Sequence, residues 1–340
     1  MIIFSSGNLL EDQSEAYVNT VNTVGVMGKG IALQFKQAFP DVFKQYAKDC
    51  KLGHVKVGSM HVVHVEGLTN PKYVINFPTK KHWRDPSKME YIQTGLEDLV
   101  DVIKKLGIHS IAIPPLGCGN GGLDWHSVLP KIEEAFRDVP VDVHMYAPSS
   151  SPQPDQIKIG TKPPRMTKGR ALLLSLMDSY SVPGYRLSHL EIQKLAYFLQ
   201  EIGEPMKLRF KKNKYGPYAE NLNHVLQRIE GHFIRGYGDR TRESDIYLLE
   251  GAASKAIDYL QKDSESLERL GKVKKMIHGF ETPYGMELLS TVHWVLKQYP
   301  EQSRDLSFVV QHIQNWNARK KELFTEKHIE KVWNYLHSAD

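Results

Sequence analysis

The sequence has little cysteine, since Cys50 and Cys118 are the only two among its 340 residues. Two cysteines cannot form the disulfide network of a small secreted domain, and they complete no structural zinc site unless histidines join them. The chain also lacks any apolar run approaching the roughly 20 residues of a membrane span, and its first residues carry no basic segment of a secretion signal. We therefore expect a cytoplasmic protein that contacts no membrane and holds no metal or other cofactor.

Positive charge exceeds negative charge only slightly, because the chain has 44 Lys and Arg and 39 Asp and Glu, a net charge of +5. The excess lies in one segment: residues 151–240 hold 15 Lys and Arg against 8 Asp and Glu, a net +7. Its most basic stretch is residues 207–214, Lys-Leu-Arg-Phe-Lys-Lys-Asn-Lys. Such a run is typical either of a surface that binds nucleic acid or of a charged hairpin that only faces water. Both interpretations stay open.

The length and a proline-rich segment predict two domains. Hydrophobic residues make up 41% and charged residues 24% of the chain, which is ordinary for a globular protein and excludes disordered or collagen-like classes. The segment from Pro148 to Pro164 carries five prolines and three adjacent serines, a composition typical of an extended linker. We predict a first domain at residues 1–148, a linker at 149–164 and a second domain at 165–340.

Strand and helix patterns alternate in the first domain, which predicts an α/β sandwich. The helix at 88–106 has the strongest pattern, because apolar residues recur there at intervals of three and four and Gly107 follows as a stop. The predicted strands are residues 2–4, 60–65, 73–77, 108–113 and 141–146, and the predicted helices are 30–50 with a break at Pro40, 88–106 and 128–137.

The second domain is predicted to be mainly helical. Ser188 and Glu191 form a capping box that opens a helix ended by Gly203, and further helical patterns occupy residues 219–229, 286–296 and 329–336. Alternating apolar residues predict one short strand at residues 206–210.

Two glycine-rich loops of the first domain have the layout of a phosphate site. They are residues 19–30 and residues 114–122, and each leads into a helix. Glycine lets the backbone approach a phosphate closely, and a helix N-terminus offers free N–H donors. The first loop is not a Walker A motif, and the second matches G-x-G-x-x-G too late in the domain for a dinucleotide fold. Two loops would suit a diphosphate held from both sides, although simple tight turns remain an alternative.

The order of these motifs resembles the macrodomain, an ADP-ribose-binding family. The resemblance rests on Gly7-Asn8-Leu9 after the first strand, the NTVNTVGVMGKGIA loop and the PPLGCGNGG loop. Residues 76–84, NFPTKKHWR, are similar to the lysine-bearing segment of the DarG family of DNA ADP-ribosyl glycohydrolase antitoxins. The resemblance implies a three-layer α/β/α macrodomain with a mixed sheet. It also implies an antitoxin that removes ADP-ribose from thymine in single-stranded DNA.

The resemblance assigns site residues as follows. Catalysis would involve Lys80 and Asn22. DNA would contact Lys81, His82, Trp83 and Arg84. The ADP-ribose would contact Asn8, Leu9, Gly25, Val26, Gly28, Lys29, Gly30, Gly117, Cys118, Gly119, Asn120, Gly121 and Tyr146, with Asn8 and Tyr146 on the adenine side.

Two chemical roles for Lys80 remain open. As an ammonium it would donate to the departing base or hold the ring oxygen, and as a free amine it would attack C1′ or capture the opened sugar. We favour the ammonium, because an ordinary lysine is almost fully protonated at neutral pH. Related lysine-dependent macrodomain hydrolases carry an aspartate directly after Gly-Cys-Gly, whereas this chain has Asn120 there and Asp124 further on. A covalent adduct resolved by that aspartate is therefore in doubt.

The second domain resembles the Panacea (SocA-like) antitoxin domain at residues 191–198, EIQKLAYF, and 214–218, KYGPY. This implies that residues 165–340 bind the cognate DarT-like ADP-ribosyltransferase toxin. Three other functions stay open: a hydrolase of ADP-ribosylated protein, a reader that binds ADP-ribose without cleaving it, and a DNA-binding autoregulator that acts through residues 207–214.

Overall fold

The computed structural model describes residues 1–148, 152–153, 156–180, 184–240 and 243–338. The chain divides into two compact units, Met1–Lys162 with Gly238–Arg242 and Pro163–Tyr237 with Glu243–Asp340. Of the predicted linker, residues 149–151 and 154–155 lie outside the described residues, as do the last two residues of the predicted second domain. In the described part of the linker, Ile157 is buried and the Gly160 N–H donates to the carbonyl oxygen of Gln37. These contacts hold the segment on the first unit.

The first unit contains one mixed six-stranded sheet. Its elements are β1 (Ile2–Ser5), β2 (Ala16–Asn22), α1 (Gly30–Ala38), α2 (Pro40–Lys51), β3 (His61–His64), β4 (Tyr73–Lys80), α3 (Met89–Leu106), β5 (Ser110–Ile113), α4 (Trp125–Phe136) and β6 (Asp142–Tyr146). The strands lie in the order β1, β6, β5, β2, β4, β3. Only the β3–β4 pair is antiparallel among these described strands.

Helices cover both faces of this sheet. Successive residues of a strand face opposite sides, so Tyr17 and Val18 of β2 belong to different apolar clusters. Val18 packs in the cluster formed by α3 and α4, whereas Tyr17 packs with Phe35 of α1 and Val42 of α2. The predicted three-layer α/β/α architecture with a mixed sheet is therefore confirmed.

Helix α3 shows how the sequence pattern becomes structure. Its apolar residues at intervals of three and four form one buried stripe, which includes Ile92, Leu99 and Ile103. Gly107 ends the helix in the left-handed conformation, with φ of 62°, and its N–H donates to carbonyl oxygens of the last turn. The predicted helix at 88–106 is confirmed.

The central strand β2 is absent from the sequence prediction, which places residues 19–22 in the first glycine loop and is wrong there. The strand is buried on both faces, so it lacks the alternation of polar and apolar residues that marks a half-buried strand. It also contains asparagines, and Asn19 reaches a partner inside the fold, since its amide donates to Oδ1 of Asn76 on β4 at 2.9 Å.

The second unit is mostly helical, as predicted. Its elements are α5 (Lys168–Tyr180), α6 (His189–Glu201), β7 (Phe210–Asn213), β8 (Gly216–Ala219), α7 (Leu222–Ile229), β9 (Ile234–Arg235), β10 (Tyr247–Leu248), α8 (Ala252–Leu260), α9 (Ser264–Ile277), α10 (Pro283–Gln298), α11 (Leu306–Gln314), α12 (Ala318–Leu323) and α13 (Glu326–Ser338). One large apolar cluster joins α5, α6 and α10. Within the described ranges, no helix has the length and apolar character needed to cross a membrane.

Of two local predictions in this unit, the capping box and the strand at 206–210, one is confirmed and one is wrong. The capping box is confirmed, because Ser188 Oγ accepts from the Glu191 N–H and the Glu191 carboxylate accepts from the Ser188 N–H. The strand predicted at 206–210 is wrong, since β7 begins only at Phe210. The backbone N–H and carbonyl of Leu208 both bond to the Gln200 side chain, so they are not free to pair in a sheet.

Candidate active site

The predicted site residues of the first unit gather at one edge of the sheet. Strands β1, β2, β4, β5 and β6 run parallel, so their carboxyl ends lie on the same edge. Ligands of open α/β sheets usually bind at that edge. Asn22 ends β2, Lys80 ends β4, Tyr146 ends β6, and the second glycine loop follows β5.

Asn22 and Lys80 are neighbours in the sheet. They are register partners across β2 and β4, just after a register shift at Val21. The contact continues beyond the strands, because the backbone N–H and the hydroxyl of Thr23 both donate to the carbonyl oxygen of Lys81, the hydroxyl at 2.8 Å. The two residues predicted for catalysis are therefore adjacent at the carboxyl ends of adjacent strands.

The first glycine loop is shaped by the Asn22 side chain. Its Oδ1 accepts from the N–H groups of Val24 and Val26, and its Nδ2 donates to the Val26 carbonyl at 2.6 Å. Tyr46, which is fully buried on α2, donates its hydroxyl to the Asn22 carbonyl at 2.6 Å. Gly25, within this loop, takes a φ of 78°. An amide nitrogen has two hydrogens, and the bond to Val26 uses one of them.

Helix α1 begins at the end of this loop. Lys29 is exposed and serves as the N-cap without a side-chain bond. The Gly30 N–H donates to the carbonyl oxygen of Asp239, a residue of the short segment that belongs to this same unit. Gln34 donates to the Asp239 carboxylate at 2.7 Å. A diphosphate that used the Gly30 N–H would therefore compete with Asp239 for it.

The second glycine loop is packed against the segment that follows Lys80. The Ser87 N–H donates to the Gly121 carbonyl at 2.9 Å, and Gly117 has a φ of 71°. A Cβ on Gly121 would lie 2.2 Å from the Gly117 oxygen and 2.3 Å from Ser87 Oγ, so only glycine fits there. A Cβ on Gly119 would meet nothing within 4 Å. The loop thus has one tightly packed glycine and one that faces open space.

Lys80 is tied to this second loop. Its Nζ donates to the carbonyl oxygen of Asn120 at 2.8 Å. Burial lowers the pKa of Lys80 below its usual value, while the negative charge of Asp85 acts in the opposite direction. Asp124 has another task, since its carboxylate caps α4 by accepting from the Ser127 N–H and hydroxyl. The acid that acts on Lys80 is therefore Asp85, which sequence reasoning did not single out.

Cys118 lies in the same loop but is poorly suited to act as a nucleophile. Burial raises the pKa of its thiol to about 11, and the thiol donates weakly to the Leu116 carbonyl. Neither Cys118 nor Cys50 is in a disulfide. In the parts of the chain that the structure describes, no three His, Cys, Asp or Glu side chains come together as metal ligands would.

Residues 81–84 form an exposed turn after β4. Lys81, Trp83 and Arg84 are exposed, and the Trp83 side chain keeps 48% of its surface in contact with solvent. The Arg84 guanidinium lies 4.6 Å from the Trp83 ring centre, and the His82 ring lies 5.3 Å away. An exposed aromatic ring with an arginine beside it is a surface on which a nucleic acid base can stack.

Of the residues that follow β1 and end β6 and were predicted to bind ADP-ribose, Leu9 and Tyr146 are more buried than the sequence suggests. Asn8 caps a short 3-10 turn by accepting from the Leu10 N–H, while the Leu9 side chain is 4% exposed and packs in the core. Tyr146 is 6% exposed, and its hydroxyl donates to the buried Asp12 carboxylate at 2.8 Å. The contact of Leu9 with ADP-ribose and that of Tyr146 with its adenine stay predictions, and only a small part of either side chain is open to a ligand.

Three supporting residues were missed by sequence reasoning: Tyr46, Asp85 and Ser87. Two of them contact site residues that are distant in sequence: Tyr46 bonds to Asn22 from α2, and Ser87 bonds to Gly121 from a separate loop. Asp85 had a weak signal, because it is the only acid between Lys80 and Lys88.

Comparisons with known proteins show to which family the chain is similar. Residues 18–132 match the Macro domain family. The chain is 49% identical over 331 residues to the DNA ADP-ribosyl glycohydrolase of Thermus aquaticus, covering 97% of this chain and 91% of that protein. It is 34% identical to a DNA ADP-ribosyl transferase and glycohydrolase fusion protein of Thermosipho africanus, covering 44% and 42% of the two chains.

Among solved structures, the macrodomain of Mycobacterium tuberculosis DarG is 57% identical, covers 44% of this chain and 99% of its own, and aligns with a TM-score of 0.43. The family assignment rests on the Thermus aquaticus relative, whose similarity extends over nearly the whole of both proteins. The chain therefore belongs to the family of DNA ADP-ribosyl glycohydrolases.

Proposed function

We propose that this protein is an antitoxin that removes ADP-ribose from thymine bases of single-stranded DNA. The observation that carries the proposal is the adjacency of Lys80 and Asn22 at the carboxyl ends of β4 and β2, between two glycine loops. Supporting it, the Thermus aquaticus relative is named for release of ADP-ribose from DNA. The two unpaired cysteines suit the reducing interior of a cell, and we include a cytoplasmic location in the proposal.

The two glycine loops would hold the diphosphate of ADP-ribose. The backbone N–H groups of Gly28 in the first loop and Gly119 in the second would donate to phosphate oxygens, while Gly25, Val26 and Cys118 would line the same site. The N–H groups of Val26 and Cys118 already donate to Asn22 Oδ1 and to the Pro115 carbonyl. Gly119 suits this role because the space that its missing Cβ would occupy is open. Asn8 would contact the adenine end, and Lys80 with Asn22 would meet the distal ribose.

Hydrolysis breaks the bond between C1′ of the distal ribose and the base nitrogen. Water adds its oxygen to C1′, and the base leaves with a proton. Positive charge develops on the sugar and negative charge on the base, so a fixed ammonium beside the base lowers the barrier. We propose that Lys80 is this ammonium, positioned by the Asn120 carbonyl, and that the remaining Nδ2 hydrogen of Asn22 orients a ribose hydroxyl.

The exposed turn at residues 81–84 would hold the flanking DNA. Trp83 would stack on an adjacent base, and Lys81 and Arg84 would pair with phosphates. His82, whose ring lies beside Trp83, would add to the same surface. This turn directly follows Lys80, so DNA held there would bring its modified base to the lysine.

The second unit would bind the ADP-ribosyltransferase toxin. The support is indirect: in Thermosipho africanus the transferase and the glycohydrolase occur in one fusion protein. We propose that residues 165–340 capture the toxin in trans. A column carrying a purified cognate toxin should retain the full chain, and failure to retain it would contradict this part of the proposal.

The test of substrate class compares two modified substrates. The full protein is incubated with single-stranded DNA that carries ADP-ribosyl-thymine and with an ADP-ribosylated protein, and released ADP-ribose is measured. We expect release from the DNA at a far higher kcat/KM. Preference for the protein substrate would contradict a DNA-directed function, and binding of ADP-ribose without release from either would identify a reader.

A further inference from the structure

The second unit carries an exposed basic hairpin, which we define as residues 207–219 and which contains β7 and β8. Five cations lie in eight residues of it and are all exposed: Lys207, Arg209, Lys211, Lys212 and Lys214. The sequence holds no acid between Glu204 and Glu220. Within the described residues, none of the five forms a salt bridge, although the rest of this unit pairs many of its charges. The positive charge of the hairpin is therefore unneutralised.

The hairpin is held in a fixed shape at both ends. At its open end, the Asn221 side chain bonds to the Arg209 N–H and to the Lys207 carbonyl. At its turn, the Trp316 ring nitrogen donates to the Asn213 carbonyl at 2.8 Å and the Asn317 amide donates to the Lys214 carbonyl at 3.0 Å. A fixed array of cations loses little conformational freedom when it binds a partner.

The surface of the hairpin favours a phosphate backbone over a protein. The core of a protein interface is depleted in lysine and carries exposed apolar anchors. Here the large aromatic residue beside the turn, Trp316, is only 9% exposed, and the Lys212 ammonium lies over its ring at 4.4 Å. The hairpin thus presents cations where a protein partner would need an apolar contact.

We propose that the basic hairpin binds the phosphodiester backbone of single-stranded DNA without reading its sequence. It is a second nucleic acid surface, separate from the turn at residues 81–84 and not needed for cleavage of the sugar–base bond. Its effect is to raise the affinity of the full protein for long strands by neutralising phosphates and releasing their counterions.

The test uses the double variant Arg209→Glu/Lys211→Glu in the full chain. No described hydrogen bond, ion pair or ring contact uses either of these side chains, so the fold should persist, which circular dichroism and Tm verify. The matched control is Lys274→Glu/Lys275→Glu, which makes the same charge change on exposed residues of α9. The probe is a fluorescently labelled DNA single strand of about 20 nucleotides without ADP-ribose. Its binding is measured by fluorescence anisotropy over a salt series.

We expect the hairpin variant to bind the strand at least tenfold more weakly at low salt, with a flatter dependence on salt, and the control to bind nearly as the parent does. Release of ADP-ribose from an ADP-ribosyl-thymidine mononucleotide should be unchanged in both, so a failure of the proposed glycohydrolase function would be recognised separately. Equal affinity of variant and parent, or an equal loss in the control, would overturn the proposal. Unchanged DNA affinity with lost retention on the toxin column would instead assign the hairpin to the toxin.

Discussion

The Lys80 ammonium donates a 2.8 Å hydrogen bond to the carbonyl oxygen of Asn120. In this way the end of β4 is joined to the glycine loop after β5, and the lysine is held beside one of the two loops that we propose bind the diphosphate. The Asn120 side chain is not part of the bond, so the lysine is held without a carboxylate at that position. The predictions below follow from this arrangement.

The pH dependence should reveal which form of Lys80 acts. Burial lowers the pKa of Lys80 below its usual 10.5. If the ammonium acts, kcat is highest below that pKa and falls as pH rises through it, and the fall begins at a lower pH than an exposed lysine would give. Lys80→Arg keeps a charge at all accessible pH values, so its residual activity should lack the alkaline fall. A rate that increases with pH through this range would indicate an attacking amine.

Tyr46 should position Asn22 without touching the substrate. Tyr46→Phe keeps the buried ring but removes the hydroxyl that donates to the Asn22 carbonyl. We expect a loss of about 1–2 kcal/mol in the free energy of unfolding and a several-fold lower kcat, measured by denaturation and by turnover. The control Tyr335→Phe removes a hydroxyl that donates to the Lys275 carbonyl in the second unit, and it should leave kcat unchanged. Equal kcat in Tyr46→Phe and the parent would remove Tyr46 from the site.

Gly119 and Gly121 form a matched pair within one loop. A Cβ at Gly121 collides with the Gly117 carbonyl and with Ser87, whereas a Cβ at Gly119 enters open space. Gly121→Ala should therefore lower Tm by several degrees, and Gly119→Ala should not. Both should weaken ADP-ribose binding in calorimetry, the first by deforming the loop and the second by filling the place of the diphosphate. Unchanged affinity in Gly119→Ala would place the diphosphate elsewhere.

The sequence indicated the glycine loops and the lysine-bearing segment more clearly than the strand β2, which positions Asn22. Helix α3 could be predicted because its single buried stripe gives a clear sequence period. The glycine loops could be predicted because their residues are contiguous. Strand β2 was not predicted, because both of its faces are buried and the partner of Asn19, Asn76, lies far along the chain. Tyr46 and Ser87 also act across large sequence separations, which no local pattern encodes.

Trp83 should contribute to DNA binding and not to bond cleavage. Its exposed ring, with Arg84 at 4.6 Å, offers a stacking surface that is typically worth about 1–3 kcal/mol per base. Trp83→Ala should raise KM for a modified oligonucleotide roughly tenfold and leave KM for the ADP-ribosyl-thymidine mononucleotide unchanged. Tyr259→Ala, which removes a similarly exposed aromatic ring from the second unit, is the control. An equal change with both substrates would contradict a role in holding flanking DNA.

The most direct test of the central claim measures release of ADP-ribose from ADP-ribosyl-thymine single-stranded DNA by Lys80→Ala, beside Lys104→Ala as an exposed lysine of α3. Binding of free ADP-ribose is measured on the same preparations, so that loss of chemistry is separated from loss of the site. The account predicts that Lys80→Ala still binds ADP-ribose but releases it from DNA at least a hundredfold more slowly, while Lys104→Ala matches the parent. Release by Lys80→Ala at the parent's rate would contradict the assignment of Lys80 to catalysis.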